Sequence, residues 1–458
     1  MFDHVASSSL GSDMGAHEEE MAGRWVVVLG SFFVQFLVCG ITYSVGIFHV
    51  MFQDVFGENH FDTSWAGSIQ IYTTALSSIV FRCFMSRFGS RVCVMLGGLV
   101  SAGGLALSVF VNDIHQLYLT YGLMTGVGFG LACTPSIMII EQHFQKKRFQ
   151  ALSVAVGGIG LGIIAFPFII KHLMEYYAWR GTLLVLAGFS FNLCVCGVLM
   201  FPSHKRKPAR LMPLLSCMPL RNPIFHGMCI SNFFWSFGST IVYMYLPAYA
   251  IHENTNLQNS FLLVACIGVA SFISRTLFAF MGRKSALDDV TALLCSVAIG
   301  VVLTGISKRL FENYAGQIGY ALLFGFYGGY WTTFLSQVSR ELVGPEYVAM
   351  GNGYLSFMIA VGGLVAGPCA GILIQEEKQF HYAFYMAGAS LIWSNVILLL
   401  FKFKNCGPLP SAEESCGPRK VPLLDEEQYE PVKVKATANG QTLICNPNEL
   451  IQSPETDI

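Results

Sequence analysis

Charge is what this sequence has least of. Of 458 residues only 12% are Asp, Glu, Lys or Arg, against roughly 25% in a soluble globular chain. So few charges cannot cover a folded core with a polar shell, which excludes an ordinary soluble protein. The formal net charge of -1 leaves no nucleic-acid footprint. Titratable residues inside the apolar stretches are too few to cluster as metal ligands, and no nucleophile and base stand on adjacent turns. An embedded enzyme and a bound cofactor are therefore not expected. The 14 cysteines lie mostly inside apolar runs (Cys39, Cys93, Cys133, Cys266, Cys295) or in segments assigned below to the cytosol (Cys217, Cys406, Cys416, Cys445). None falls in a loop assigned to the outside, so no disulfide framework is expected, and they read as soft packing residues. A cleavable leader is not expected either. The first apolar run begins near Trp25, after Glu18-Glu19-Glu20, and is too long for a signal core.

Apolar sequence is abundant instead, at 53% of residues. Runs can be drawn at 25–51, 65–86, 92–111, 116–139, 150–171, 182–201, 224–251, 258–281, 288–306, 315–338, 347–373 and 380–402. Each is long enough for a hydrocarbon core of about 30 Å at about 1.5 Å per residue. Only a helix satisfies its own backbone in lipid, so the pattern predicts an all-α membrane protein with twelve transmembrane helices. Glycine spacings such as Gly157-Gly158-x-Gly160-x-Gly162, and Gly362-Gly363 followed by Gly367, suit close helix contact. The first of these is not a dinucleotide-binding loop, since no strand precedes it.

Lysine and arginine set the orientation. With the N-terminus inside, the cytosolic loops hold Arg87 and Arg91, Lys146-Lys147-Arg148, Lys205-Arg206-Lys207 with Arg210 and Arg221, Arg283-Lys284 and Arg340. The outside loops hold only Lys171, Arg180, Lys308, Arg309 and Lys378. The first of them is acidic, with Asp54, Glu58 and Asp62. Both termini are thus predicted in the cytosol.

The longest internal linker, 202–223, is basic and proline-containing and divides the helices six and six. Ser86-Arg87-Phe88-Gly89-Ser90-Arg91 after the second helix is echoed by Phe280-Met281-Gly282-Arg283-Lys284 after the eighth, as parallel repeats would have it. Such repeats, with a solute site between them near mid-membrane, are a transporter architecture. The expected organisation is a cytosolic tail 1–24, a first half 25–201, the linker 202–223, a second half 224–402 and a disordered cytosolic tail 403–458. That tail holds Leu423-Leu424 and Tyr429-Glu430-Pro431-Val432, two short matches to sorting signals of a kind that also arise by chance.

These features together resemble the major facilitator superfamily and, within it, the monocarboxylate transporter family. Ser86 to Arg91 is similar to the superfamily's loop between helices two and three. His143-Phe144-Gln145-Lys146-Lys147-Arg148 with Ala151, Ala155, Gly158 and Gly162 resembles the family signature entering helix five. Ala178-Trp179-Arg180-Gly181 resembles the entry to helix six. Leu342-Val343-Gly344-Pro345 and Gly367-Pro368 resemble the region of helices ten and eleven. The resemblance implies a major facilitator fold in the plasma membrane, a small organic solute as cargo, and, for some members, a single-pass glycoprotein chaperone as partner. The departures are as telling. The entry to helix one reads Glu20-Met21-Ala22-Gly23-Arg24-Trp25 and keeps only an acid and the last Trp. Tyr43 stands where proton-coupled members have a lysine. Ser271 stands where they have an Asp four residues before the arginine of helix eight. Ser86 stands in place of the loop motif's acid.

Arg275 is the main candidate for solute binding. It lies inside the eighth run, about 10 Å from its end at about 1.5 Å per residue, where a charge is costly and usually faces a cavity or a partner. A guanidinium can bond both oxygens of a carboxylate in one plane. The competing role is snorkelling to the interface. Tyr43, able to donate one hydrogen bond and offer an aromatic wall, is either a solute contact or ordinary packing. Ser271, Tyr330 and Trp331 complete the expected substrate site. Tyr243 and Tyr245 flank the cavity in the resemblance, and Tyr249 is read as part of the interfacial belt. Arg82, Arg87, Arg91 and Glu141 form an expected gate network at the cytosolic face. His49, His143 and His172 are read as interfacial polar residues.

The leading function is therefore alternating-access transport of a monocarboxylate-like anion or zwitterion. The aromatic at the helix-one position suits an aromatic, amino-acid-derived or carnitine-like compound. Without the lysine and the aspartate, the expectation is a facilitator or a weakly proton-coupled carrier. The alternative is a non-transporting sensor or scaffold on the same fold, signalling through its tail.

Overall fold

The computed structural model describes residues 2–80, 82–144, 148–201, 223–281, 299, 307–377, 379–404, 437–438 and 441–442. Side chains are described for most of these, apart from 2–22, 78–83, 85–86, 141, 148–149, 278–281, 332–350 and 401–404. Apart from residue 299 the expected ninth span lies outside the described residues, as do all but six residues of the expected tail, the linker 202–222 and both sorting-signal matches.

The fold is all-α, as expected. Helices run as α1 (Phe2–Tyr43), α2 (Val45–Phe56), α3 (His60–Val80), α4 (Arg82–Leu107), α5 (Ile114–Leu117) and α6 (Thr125–His143). They continue as α7 (Arg148–Val198), α8 (Pro223–His252), α9 (Leu257–Met281), α10 (Ser307–Phe311), α11 (Tyr314–Glu377) and α12 (Phe380–Lys404). A π-turn, Tyr118–Met124, joins α5 to α6. Residues 410–458 form a separate unit, in which Thr437–Ala438 pairs antiparallel with Gln441–Thr442.

Several helices hold two expected spans each. α7 has 51 residues and α11 has 64, far longer than one bilayer crossing of about 20 residues. The turn inside α7 is Ala178, with φ 52° and ψ -173°, a left-handed backbone uncommon outside glycine. Its neighbours fix it. Trp179 meets Phe56 edge-on at 5.8 Å. The Arg180 guanidinium lies 4.9 Å over the Trp179 ring and donates to Asn112 Oδ1 at 3.0 Å. The turn inside α4 is Gly89, with φ 82° and ψ 162°, a region essentially closed to side chains. Nothing lies within 4 Å of a Cβ built there, so the constraint is in the backbone alone. Gly89→Ala should destabilise by about 1–3 kcal/mol. Thermal unfolding of the detergent-purified protein reads this as a lowered midpoint, and an unchanged midpoint would sink the argument.

Seven stretches among the described residues are long and apolar enough to cross a membrane, and one of them, Gln150–Val198, is two crossings long. α3 and α8 are not among the seven. Both carry many Ser, Thr and Tyr residues, and α8 is buried almost continuously from Trp235 to Ala250. These two helices face protein rather than lipid.

Two apolar cores result. One gathers residues of α1–α7 with Phe261 and Val264. The other gathers Val45 of α2 with residues of α8–α12. The halves meet most closely at the end of the bundle that carries the turns at Gly57, Ala178 and Asn254, here called the distal end. Gly46 of α2 touches the Tyr243 carbonyl of α8, Ser68 of α3 touches Gly367 of α11, and Gly371 lies against His60 and Phe61. The Tyr245 hydroxyl sits at this crossing, 2.9 Å from the Gly367 carbonyl of its own half and 3.4 Å from the His60 carbonyl of the other.

Candidate functional site

α9 shows which way Arg275 points. Val269, Ile273 and Leu277 form an exposed stripe at helical spacing, the face that meets lipid. Arg275 is two residues from Ile273, about 200° around a helix, and so faces away from that stripe. Ser271 and Ser274, on its own side, are 1% and 0% exposed. Arg275 thus stands on the side of α9 turned from the exposed stripe. The charge lies within electrostatic range of Cys39 and Tyr43 of α1 and of Tyr243 of α8. Arg275 Nε is buried with no hydrogen-bond partner, as are the hydroxyls of Ser271 and Ser274. Leaving a buried donor unmade costs on the order of 1–3 kcal/mol, so these groups are costly to keep without something to bind.

Tyr43 ends α1, where the chain breaks at Ser44 (φ -82°, ψ 9°) before α2 resumes. Its ring sits 4.7 Å from that of Tyr243, which in turn meets Phe324 of α11 edge-on at 5.4 Å. Tyr43 and Arg275 are both partly exposed. Three helices, two from one half and one from the other, thus bring a cation, two phenol rings and two unsatisfied hydroxyls together.

Other expected residues are placed differently. Trp331 is wholly buried in the second core, 6.4 Å from Tyr327, with its indole N–H unbonded. Tyr330 is 8% exposed in the same core. Ser271 lies against Gly329, one residue earlier on α11. Tyr249 is not part of an interfacial belt. It is 1% exposed and stacked between Phe311 at 4.0 Å and Phe380 at 5.7 Å. Its position near a helix end suggested the belt, but α10 and α12 cover it. His49 and His143 are likewise not interfacial. His49 is 3% exposed, with Nε2 3.3 Å from His60 Nδ1 and its ring edge-on to Tyr245. His143 is 8% exposed with Nδ1 3.0 Å from the Ile139 carbonyl. Only His172 stays exposed as expected, 3.8 Å from Glu175.

Of the expected gate, Arg87 and Arg91 are exposed, with Arg87 5.8 Å over the Phe88 ring. The side chains of Arg82 and Glu141 lie outside the described ones. Sequence reasoning passed over Gln35. It is fully buried, donates to the Cys133 carbonyl at 3.2 Å and to Ser136 Oγ at 3.0 Å, and ties α1 to α6. The signal was there. Ser31, Gln35, Cys39 and Tyr43 recur every four residues, facing away from exposed Leu29 and Phe33.

Two halves of membrane helices meeting over an interior cation define a secondary-transporter architecture. Residues 31–342 match the family model of the Major Facilitator Superfamily, and the chain belongs to that superfamily. Within it the chain is a divergent relative of monocarboxylate transporters. It is 29% identical over 418 residues to monocarboxylate transporter 13 of Bos taurus, covering 88% of this chain and 96% of that protein. It is 28% identical over 409 residues to monocarboxylate transporter 12 of Homo sapiens, covering 82% and 79%. With monocarboxylate transporter 12 of Xenopus laevis it shares 27% over 409 residues, covering 83% and 89%. The chain is a multi-pass membrane protein and a secondary transporter.

Proposed function

We propose that this chain carries a small organic anion or zwitterion by alternating access, with Arg275 holding the carboxylate. The observation that carries this reading is the Arg275 guanidinium itself, turned from lipid toward the opposite half with Nε unbonded. A planar fork facing partly open space suits a two-oxygen anion. Tyr43 and Tyr243 form the adjoining wall, which suits cargo with an apolar or aromatic body. The proposed halves are 25–201 and 224–402, joined by 202–223, with the 1–24 and 403–458 tails in the cytosol of a plasma-membrane protein. On that orientation the close distal packing is the outward gate, shut. Arg82, Arg87, Arg91 and Glu141 are proposed for the gate at the other end, and Ser271, Tyr330 and Trp331 support the cavity from the second half. The family resemblance alone extends the proposal to a single-pass glycoprotein chaperone.

Coupling follows from the residues at hand. Tyr43 and Ser271 occupy the positions at which the proton-coupled relatives carry their lysine and aspartate, and neither a phenol nor a hydroxyl titrates near neutral pH. Purified protein in liposomes should therefore show saturable uptake of a carboxylate panel. Imposing an inward proton gradient should change the initial rate less than about twofold, under about 0.4 kcal/mol. A several-fold rise would overturn facilitation. No flux of any panel member, from folded protein, would favour a sensor or scaffold.

A further inference from the structure

Cys39 and Cys133 come from different helices and point at one atom. Cys39 Sγ lies 3.6 Å from Gln35 Oε1, and Cys133 Sγ lies 3.4 Å from the same oxygen. Both thiols donate to it, so the two sulfurs converge on a single oxygen. The arrangement is held from both sides. Gln35 is fixed by donating to α6 at the Cys133 carbonyl and Ser136 Oγ. One turn along, Ser31 Oγ donates to the Ser136 carbonyl at 2.7 Å. Both cysteines are free and neither is fully buried. Cys39 belongs to the interior stripe of α1, one helical turn from Tyr43, and sits within electrostatic range of Arg275.

We propose that Cys39 and Cys133 form a dithiol site on the solute path that captures trivalent arsenicals. One arsenic atom can bridge two thiols that converge this closely. Two As–S bonds form, the As=O bond breaks, and the two thiol protons leave with that oxygen as water. Arsenic stays trivalent, so no oxidant is required. Chelation by two sulfurs resists exchange with a single-thiol competitor, while a small dithiol removes the arsenic. Among the described residues, the other two cysteines close in sequence lack this geometry. Cys194 and Cys196 are two apart on one helix, a spacing that does not face side chains toward each other, and Cys194 is engaged with the Met95 carbonyl at 3.3 Å.

The test is intact-mass measurement of detergent-purified full-length protein after phenylarsine oxide and then excess monothiol. One arsenical equivalent should survive on the unsubstituted chain and vanish in both Cys39→Ser and Cys133→Ser, whose hydroxyls can still donate to Gln35. Cys194→Ser should retain it. An equivalent retained in both Cys39→Ser and Cys133→Ser, or none on the unsubstituted chain, overturns the site. The second arm rests on the proposed transport function. In liposomes the arsenical should suppress flux at least tenfold, and 2,3-dimercaptopropanol should restore it. Residual flux of the two serine variants should be insensitive. A bound equivalent that leaves flux unchanged removes the site from the solute path. The mass arm stands or falls whether or not the chain transports anything.

Discussion

Arg275→Ala abolishes transport and leaves the protein as stable as before, or more so. Truncating one partner of a buried, hydrogen-bonded charge pair costs on the order of 2–5 kcal/mol. Uptake efficiency should therefore fall at least about thirtyfold, since each 1.4 kcal/mol is about tenfold. Stability moves the other way because Nε is buried and unbonded in the empty protein. Folding carries the desolvation of that group without a compensating partner, and an alanine removes the burden. Loss of function with gain of stability is the signature of a group kept for a ligand. Arg275→Lys should fall between the two, since a lysine keeps the charge but not the planar fork. The measurement pairs initial uptake rates in liposomes with thermal unfolding in detergent. Unaltered uptake at equal protein level removes Arg275 from the site, and a collapse of the unfolding midpoint reassigns it to structure.

The second large effect lies at the distal crossing of α2 and α8. A Cβ on Gly46 would overlap the Tyr243 carbonyl and come within 2.9 Å of the Met244 carbonyl and Pro247 Cδ. Its obstacles are mostly backbone, which cannot swing aside. Gly46→Leu should therefore oppose closure of the two halves. Overpacking of this kind costs about 1–3 kcal/mol, enough to shift a two-state balance by roughly five- to 150-fold. Flux should fall by at least about fivefold while thermal stability changes little, because separating the halves relieves the clash without unfolding either. Gly158→Leu is the contrast. Its Cβ would overlap the Phe32 carbonyl within one half, where no movement between halves can help, so the unfolding midpoint should drop. If Gly46→Leu behaves like Gly158→Leu, α2 and α8 do not separate during transport.

Much of this was readable from the residues. The apolar runs outline the helices because lipid demands long segments with satisfied backbones, and the described helices fall where those runs are. Arg275 is singled out by being a lone charge within such a run, and its direction follows from counting 100° steps from Ile273. Other features are not encoded locally. The break at Ser44 falls inside one continuous apolar run, 25–51, and the turn at Ala178 places an alanine where glycine would be expected. Tertiary partners such as Trp179 and Arg180 override the local preference there. The His49, His60 and Tyr245 cluster joins residues 185 apart in sequence, and Gln35 meets Cys133 across 98. Periodicity names the faces of a helix but not the neighbour each face meets. For that reason periodicity alone puts Tyr249 and His49 at the interface, whereas other helices bury them.

The polar character of α8 has a consequence for how the protein is made. Its buried face carries Ser231, Asn232, Ser236, Ser239 and Thr240. Asn232 donates to the Leu355 carbonyl on α11, and Ser231 and Ser394 bond across to α12. Segments of this composition partition weakly into lipid by themselves. Those partners are synthesised more than a hundred residues later, as the 123- and 163-residue separations of these bonds record. During biosynthesis α8 must wait, half-committed, for the C-terminal helices to arrive. α8 thus becomes a settled membrane segment only after the C-terminal helices it bonds to have been made.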